Sequence, residues 1–386
     1  MFDRWAELRP GNVLLLGPRR CGKTTLLRQR FPAYRYVTLD DFDALTWARR
    51  DPKGLVGSLR PAAIIDEIQR LPELLVAVKY WSDRGEIEAL MTGSSSIGLM
   101  DAAAETLAGR VWIEHLPTVC WGEELGTPQH QFFEDEAAPA HLAEGRRHLE
   151  RWLRDGGFPE VVASASQEDR ADVLRLYRDS YFLRDVAQMA NIENVEALHA
   201  IFQHVVRCIG SPVEVSNFAR EAGLSHATAK RYLGTLLQTG LGFRLYGGQF
   251  SAVKRLVKAA KLYFADSGIV TAFQAGVDDG ARFESFVISE IEKRRKLRFF
   301  DADRLLYYRS KGGAKVDLIF EEPRSIRAVE IKFAEHVQPK DLRNLKRLRE
   351  LEWPKPLKLY VVYRGMRYLE MDGVRVLPVH GLWRAR

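Results

Sequence analysis

Cysteine is scarce in this chain: Cys21, Cys120 and Cys208 are the only three in 386 residues. An odd number without metal-type spacing excludes a disulfide framework and a zinc site, and it points to a reducing compartment. No apolar run approaches the roughly 20 residues that a membrane-spanning helix needs. Even 13–16 and 62–65 are only strand-sized. The opening Met1-Phe2-Asp3-Arg4-Trp5 lacks the basic-then-apolar layout of a secretory leader. These absences lead to the expectation of a cytoplasmic protein without a membrane partner.

What is present fits a globular protein, with 46% apolar and 28% charged residues. The length suits two to four domains, each with its own core. A net charge of +7 and a pI near 9.2 invite a polyanion partner. The acidic stretch 123–136 contrasts with basic positions at Lys254, Arg255, Lys258 and Lys261 and in the run Lys293-Arg294-Arg295-Lys296-Leu297-Arg298. Basic charge therefore gathers toward the C-terminal half.

The most informative segment is Gly17-Pro18-Arg19-Arg20-Cys21-Gly22-Lys23-Thr24, followed by Thr25. It comes after the apolar run Val13-Leu14-Leu15-Leu16 and leads into Leu26-Leu27, so strand, loop and helix occur in the order of a phosphate-binding loop. Glycines let backbone N–H groups close around phosphate oxygens. Residues 17–25 are thus the candidate ATP cradle. Lys23 would reach the terminal phosphates, Thr24 would bind Mg²⁺, and the new helix would offer its positive end.

Strand-like runs recur at 13–16, 34–39, 62–65, 87–91 and 111–116, as in an α/β core with a covered parallel sheet. The third run ends in Asp66-Glu67. Asp66 at the carboxyl edge would hold the Mg²⁺ water shell, and Glu67 would polarise the attacking water. The fourth run ends in Thr92-Gly93-Ser94-Ser95-Ser96. A strand between the phosphate-loop and Asp strands would bring Ser94 or Ser95 near the γ-phosphate. Arg110 opens the fifth run and would stabilise transition-state charge in its own subunit or in a neighbour.

Four segments carry a specific resemblance: GPRRCGKTT at 17–25, IIDEIQRLPELL at 64–75, LMTGSSS at 90–96 and LAGRVWIEHLPTVCWGEEL at 107–125. Together they resemble a prokaryotic family of AAA+-type P-loop ATPases in which a domain of unknown function follows the core. Arg110 matches a position that family retains. The resemblance implies ATP, Mg²⁺ and a homo-oligomer, with a hexameric ring as one form.

After Gly156-Gly157-Phe158-Pro159, residues 174–189 read as an amphipathic lid helix. Its LYRDSYFLRD element at 176–185 is similar to the same family, with Arg184 as a candidate nucleotide contact. Residues 213–240 have helix-turn-helix grammar. A helix at 215–222 is followed by a turn at Gly223-Leu224, the cap Ser225 and a second helix at 227–238, with a wing from Gly240. His226, Thr228, Lys230 and Arg231 would face DNA.

Farther on, 315–320 and 327–333 read as two strands, and Glu321-Glu322-Pro323-Arg324-Ser325-Ile326 between them carries the turn signal. Folding back about that centre sets Asp317 opposite Glu330, and period-two alternation puts Asp317, Glu330 and Lys332 on one face. Two carboxylates so placed suit a divalent metal. Glu284 on a helix at 281–296 would add a ligand, and Lys332 would stabilise phosphate charge. A basic helix near 339–349 and a strand at 357–363 complete an order that resembles the PD-(D/E)XK nuclease superfamily over 281–365.

The expected organisation is an ATPase core at 1–125, a helical lid at 126–205, a winged helix at 206–250 and a small nuclease-like α/β domain at 251–386. The expected function is ATP-driven DNA remodelling or translocation, with Mg²⁺-dependent cleavage by the last domain. A nucleotide-gated switch with a protein partner and an inactive docking domain is the alternative. A winged-helix transcription regulator is the third reading.

Overall fold

The computed structural model describes residues 2–94, 99, 103, 105–107, 109–185, 187, 192, 194–247, 259–273, 276–310 and 313–386. The chain forms two compact units. One is Ala6–Thr118 with Gln238–Gly240, and the other is Met1–Trp5, Val119–Leu237 and Leu241–Arg386.

The first unit carries β1 (Val13–Gly17), β2 (Arg35–Thr38), β3 (Ala62–Asp66), β4 (Glu88–Ser94) and β5 (Trp112–His115). All pairings are parallel, in the order β2-β3-β4-β1-β5. Every residue of β1 is buried, which requires cover on both faces and explains its unbroken apolar sequence. Leu14, Leu16, Ile65 and Met91 share a core with Leu55 and Val56 of the helix Pro52–Ser58 and with Leu74 and Val78 of the helix Leu74–Ser82. Helix α1 (Lys23–Arg30) buries Leu26 and Leu27.

Strand β4 lies between β1 and β3, as the sequence predicts for this ATPase architecture. It runs three residues past the expected 91, because its ladder with β1 continues to Gly17↔Ser94. The phosphate loop, Asp66 and Ser94 therefore share the carboxyl edge of the sheet.

In the second unit, helices Pro139–Asp155, Pro159–Ala163, Gln167–Leu176 and Val195–Arg207 precede the helix pair Val215–Glu221 and His226–Gln238. The expected helix over 174–189 instead starts at Gln167, behind a Ser166/Asp169 capping box, and passes into a π-helical segment at Tyr177–Asp185. Met189 and the Arg184 side chain lie outside the described residues. Gly223 takes φ +63° in the turn between the paired helices, and Ser225 Oγ accepts the Thr228 N–H at 3.1 Å.

Strands β6 (Gly242–Gly247), β7 (Lys261–Phe264), β8 (Leu306–Arg309), β9 (Lys315–Glu321), β10 (Ile326–Lys332), β11 (Leu357–Tyr363), β12 (Leu369–Met371) and β13 (Val374–Pro378) form one mixed sheet in the order β12-β13-β11-β10-β9-β8-β6-β7. The expected wing is the antiparallel pair β6–β7, and β6 also pairs with β8. The expected boundary at 250 thus separates β6 from β7 and β8, with which it pairs in one sheet. A large hydrophobic core in this unit includes Trp152, Phe202, Leu236, Phe286 and Phe320, and a second, smaller one includes Val316, Ile319, Leu345 and Val361.

The long helix Asp279–Lys296 corrects the charge reading. The run from Lys293 to Lys296 does not form a free basic patch. Lys293 Nζ donates to Val119 O (3.1 Å), Asp266 Oδ2 (3.2 Å) and Glu290 Oε1 (2.9 Å). Arg294 is fully buried and donates to Glu290, Ala385 O and Leu382 O. Arg295 and Lys296 pair with Glu292. A guanidinium or ammonium taken out of water must be paired in this way. Lys261 is buried as well, at 3.0 Å from Glu284. Lys254, Arg255 and Lys258 lie outside the described residues. No helix among the described residues is long and apolar enough to cross a membrane.

Candidate active site

β1 ends at Gly17, where an added Cβ would stand 2.2 Å from Leu116 O and 2.9 Å from Cys21 Sγ, so only glycine fits. Gly22, at φ +97°, turns the chain into α1, a conformation that a side chain would oppose. Between them Pro18 and Cys21 are buried, Arg19 is half-buried and Arg20 is exposed with φ +64°. Lys23 Nζ donates to Gly17 O and Pro18 O, both at 3.0 Å, which draws the ammonium over the mouth of its own loop. Thr24 and Thr25 stand in the first turn of α1, Thr24 half-buried and Thr25 exposed.

Asp66 is 6% exposed and draws three hydroxyls around one carboxylate. Thr24 Oγ1 donates to Oδ1 at 2.9 Å, and Thr92 Oγ1 donates to the same oxygen. Tyr36 Oη donates to Oδ2 at 3.0 Å. Burial first, and then the Asp66 charge, push the Tyr36 hydroxyl up to about 12. The Arg28 guanidinium lies 4.8 Å from the centre of the Tyr36 ring.

Glu67 follows in a left-handed conformation, φ +58° and ψ 42°, which is rare without glycine and is held by its surroundings. Its N–H donates to Thr92 Oγ1 at 3.2 Å. Gln69, in the 3₁₀ turn Ile68–Arg70, donates from Nε2 to Glu67 Oε2 and accepts the Ser94 N–H at Oε1, at 3.3 Å. Ser94 is buried, and its Oγ has no hydrogen-bond partner among the described residues. Ser95 lies outside the described residues.

Lys23, Thr24, Asp66, Glu67 and Ser94 thus meet at one sheet edge, as the sequence predicts. Thr92, Tyr36 and Gln69 were missed. Thr92 had a signal, since it is a polar residue at the end of an apolar run on a buried strand. Tyr36 depends on the β2–β3 register, which sequence does not display.

Arg110 requires a correction. Trp112 pairs with Val13 at the start of β1, which places Arg110 at the sheet edge opposite Gly17. That is about 20 Å away along the strands, at roughly 3.3 Å per residue. There it is ion-paired with Asp83. It cannot reach the phosphate loop of its own chain.

In the second unit the β9–β10 register runs from Ile326↔Glu321 to Val329↔Leu318, and Asp317 and Glu330 are the next residues on the two strands. Both are buried, and Asp317 Oδ2 accepts the Ile331 N–H at 3.0 Å. A register shift between β8 and β9 breaks the simple alternation expected of β9: Val316 and Ile319 enter one core, Leu318 and Phe320 the other. Period-two alternation from Asp317 would put Val316, Leu318 and Phe320 on one apolar face, and the shift separates Val316 from the other two.

Glu284 accepts from Tyr263 Oη (2.6 Å) and Lys261 Nζ (3.0 Å). Lys315 stands 3.0 Å from Asp317 and 3.8 Å from Glu284, and Lys332 donates to Glu330 at 2.7 Å. Each of the three carboxyl groups thus has a lysine beside it. Among the described residues no group of three His, Cys, Asp or Glu side chains is arranged to hold a metal ion. The metal set expected from Glu284, Asp317 and Glu330 is not assembled in this arrangement.

Residues 10–125 match the family model described as the AAA domain. Residues 146–279 and 279–382 match two domains of unknown function, DUF8612 and DUF4143. An uncharacterised protein of Mycobacterium tuberculosis is 28% identical over 324 residues, covering 80% of this chain and 67% of its own. Another, from Methanocaldococcus jannaschii, is 23% identical over 336 residues, covering 83% and 75%. Among solved structures, the Aeropyrum pernix ORC1 protein in complex with DNA aligns with a TM-score of 0.28 at 15% identity, over 69% of this chain and 87% of that one. A signal-transduction ATPase with a tetratricopeptide repeat sensor from Pyrococcus horikoshii aligns at 0.22 and 12%, over 74% and 43%. Scores this low fix neither fold nor function. The N-terminal module is an AAA-type ATPase domain, and the regions that follow match domains without an assigned role.

Proposed function

We propose that the chain hydrolyses MgATP at the edge formed by residues 17–25, Asp66 and Glu67, and that this turnover acts on DNA engaged by the second unit. The observation that carries the reading is the 2.9 Å contact between Thr24 Oγ1 and Asp66 Oδ1. It pairs a hydroxyl and a carboxylate, the hard oxygen donors that suit Mg²⁺, at the start of a helix that follows a phosphate loop. Backbone N–H groups of the loop and Lys23 would hold the phosphates, and Mg²⁺ bound at Thr24 and Asp66 would neutralise their charge. Glu67 would orient the attacking water.

Arg110 would serve only a neighbouring subunit, so the reading requires a homo-oligomer, with a ring as one form. DNA contact would fall to His226, Lys230 and Arg231, all exposed on the second helix of the pair, with Thr228 half-buried beside them. The test is the ATPase rate with and without DNA for wild type, Lys23→Ala and Glu67→Gln. Both variants should lose turnover. DNA that neither binds nor changes the wild-type rate removes the DNA half of the reading.

A second reading is a nucleotide-gated assembly switch with a docking module for a protein partner at its C-terminal end. The lysine pairing of Glu284, Asp317 and Glu330 favours it over a cleaving centre. It predicts ATP-dependent oligomers and no Mg²⁺-dependent DNase activity. Cleavage that is lost in Asp317→Ala and Lys332→Ala would overturn it.

A further inference from the structure

Gln69 ties the carboxylate read as the water-orienting base to the strand beside the phosphate loop, and neither the AAA-domain match nor the motif residues assign it a role. Its side-chain amide has both ends engaged. Nε2 donates to Glu67 Oε2, and Oε1 accepts the Ser94 N–H at 3.3 Å, at the end of β4 where Ser94 pairs with Gly17. Gly93 leaves it room, since an added Cβ there would come within 3.3 Å of Gln69 Oε1.

The need for such a tie follows from the backbone. Glu67 sits at φ +58°, a conformation that persists only where its surroundings over-determine it. Thr92 fixes the Glu67 N–H but leaves the side chain its own torsions. A glutamate free to rotate would hold water over a range of positions, and reaction rates depend steeply on such placement. An amide anchored to a central strand removes that freedom. Its donor end also suits an ionised carboxylate, the form that accepts a proton from water.

We infer that Gln69 is a positioning residue for hydrolysis, holding the Glu67 carboxylate in register with the phosphate loop. This rests on the reading of Glu67 under Proposed function. The experiment compares wild type, Gln69→Ala, Gln69→Glu and Glu67→Gln for kcat, KM and affinity for a non-hydrolysable ATP analogue, with thermal melting to confirm folding. Gln69→Ala should keep analogue affinity within about twofold and lose on the order of ten- to a hundredfold in kcat, the scale of a misplaced catalytic group. Gln69→Glu keeps the size and the acceptor for Ser94 but replaces the donor with a like charge, so it should lose at least as much.

A Gln69→Glu enzyme with wild-type kcat would show that the side chain only fills space, and a Gln69→Ala enzyme with wild-type kcat would show no role at all. Either result overturns the inference. Loss of analogue affinity in parallel with kcat would also overturn it, by showing a general disturbance of the loop. If Glu67→Gln itself keeps the wild-type rate, the hydrolytic reading of Glu67 fails instead, and the inference falls with it.

Discussion

The Thr92 hydroxyl donates to Asp66 Oδ1 and accepts the Glu67 N–H, so one side chain of β4 sets the relative placement of the last residue of β3 and the acidic residue that follows it. The position is fully buried, which leaves no water to replace either bond. Thr92→Val keeps the shape and removes the hydroxyl. Hydrogen bonds to charged groups contribute about 1.5–3 kcal/mol, and the valine variant should lose stability in that range by urea unfolding. Its ATPase rate should fall as well, while Thr92→Ser restores both.

Gly17→Ala should be more damaging than its size suggests. The new methyl would meet the Leu116 carbonyl oxygen at 2.2 Å, and backbone cannot rotate aside as a side chain can. Forcing extra volume into a packed site typically costs about 1–3 kcal/mol. The expected outcome is a lower denaturation midpoint together with weaker nucleotide binding, measured with a fluorescent ATP analogue. A variant with wild-type midpoint and affinity would contradict the close approach.

Legibility in the sequence followed the range of the interactions. The phosphate loop and Asp66-Glu67 are local patterns, and β4 entering between β1 and β3 agrees with the motif that names them. The pairing of β9 with β10 was also legible, because a hairpin turn joins strands that are neighbours in the chain. What was not legible depends on partners distant in the chain. The basic run beginning at Lys293 looks exposed until Asp266, Val119 and Leu382 are seen around it. Arg110 looks able to serve its own phosphate loop until the parallel register of Trp112 with Val13 puts it at the opposite edge. The shift between β8 and β9 carries no glycine or proline signal on β9, so alternation there could not reveal the split faces.

Glu290 anchors the second unit. It is 1% exposed, accepts the Trp121 N–H at 2.9 Å and pairs with both Lys293 and Arg294. Burial pushes its carboxyl up, but Lys293 and Arg294 outweigh burial and hold it below the ordinary carboxylate value. Removing one partner of a buried ionic cluster costs about 3–5 kcal/mol, since the others stay buried without compensation. Glu290→Ala should therefore lose several kcal/mol in chemical denaturation. The exposed pair Lys346–Asp372 is the control, and Lys346→Ala should change stability by less than about 1 kcal/mol.

Glu330 should give the opposite pH behaviour. Burial first, and then the Asp317 charge, raise its carboxyl from 4.5 to about 8, against the lowering effect of Lys332 and Lys315. A folded-state value above the unfolded one means that the native protein holds this proton more tightly. Its contribution to stability is full below pH 4.5, declines as the unfolded chain ionises, and is lost once pH has risen through 8. Glu290, depressed in the fold, contributes above the ordinary carboxylate range and fails only in acid.

Glu330→Gln removes the titration while keeping the size and a donor–acceptor side chain. Its melting temperature should stay near that of wild type at pH 4.5 and rise progressively above it toward pH 8.5. Paired melting curves across this range check the sign, and a constant difference would mean that Glu330 does not titrate there. Adding Mn²⁺ separates the remaining case. A cation bound between Asp317 and Glu330 would pull the carboxyl down and abolish the slope, whereas a slope that Mn²⁺ leaves unchanged means that no cation binds there.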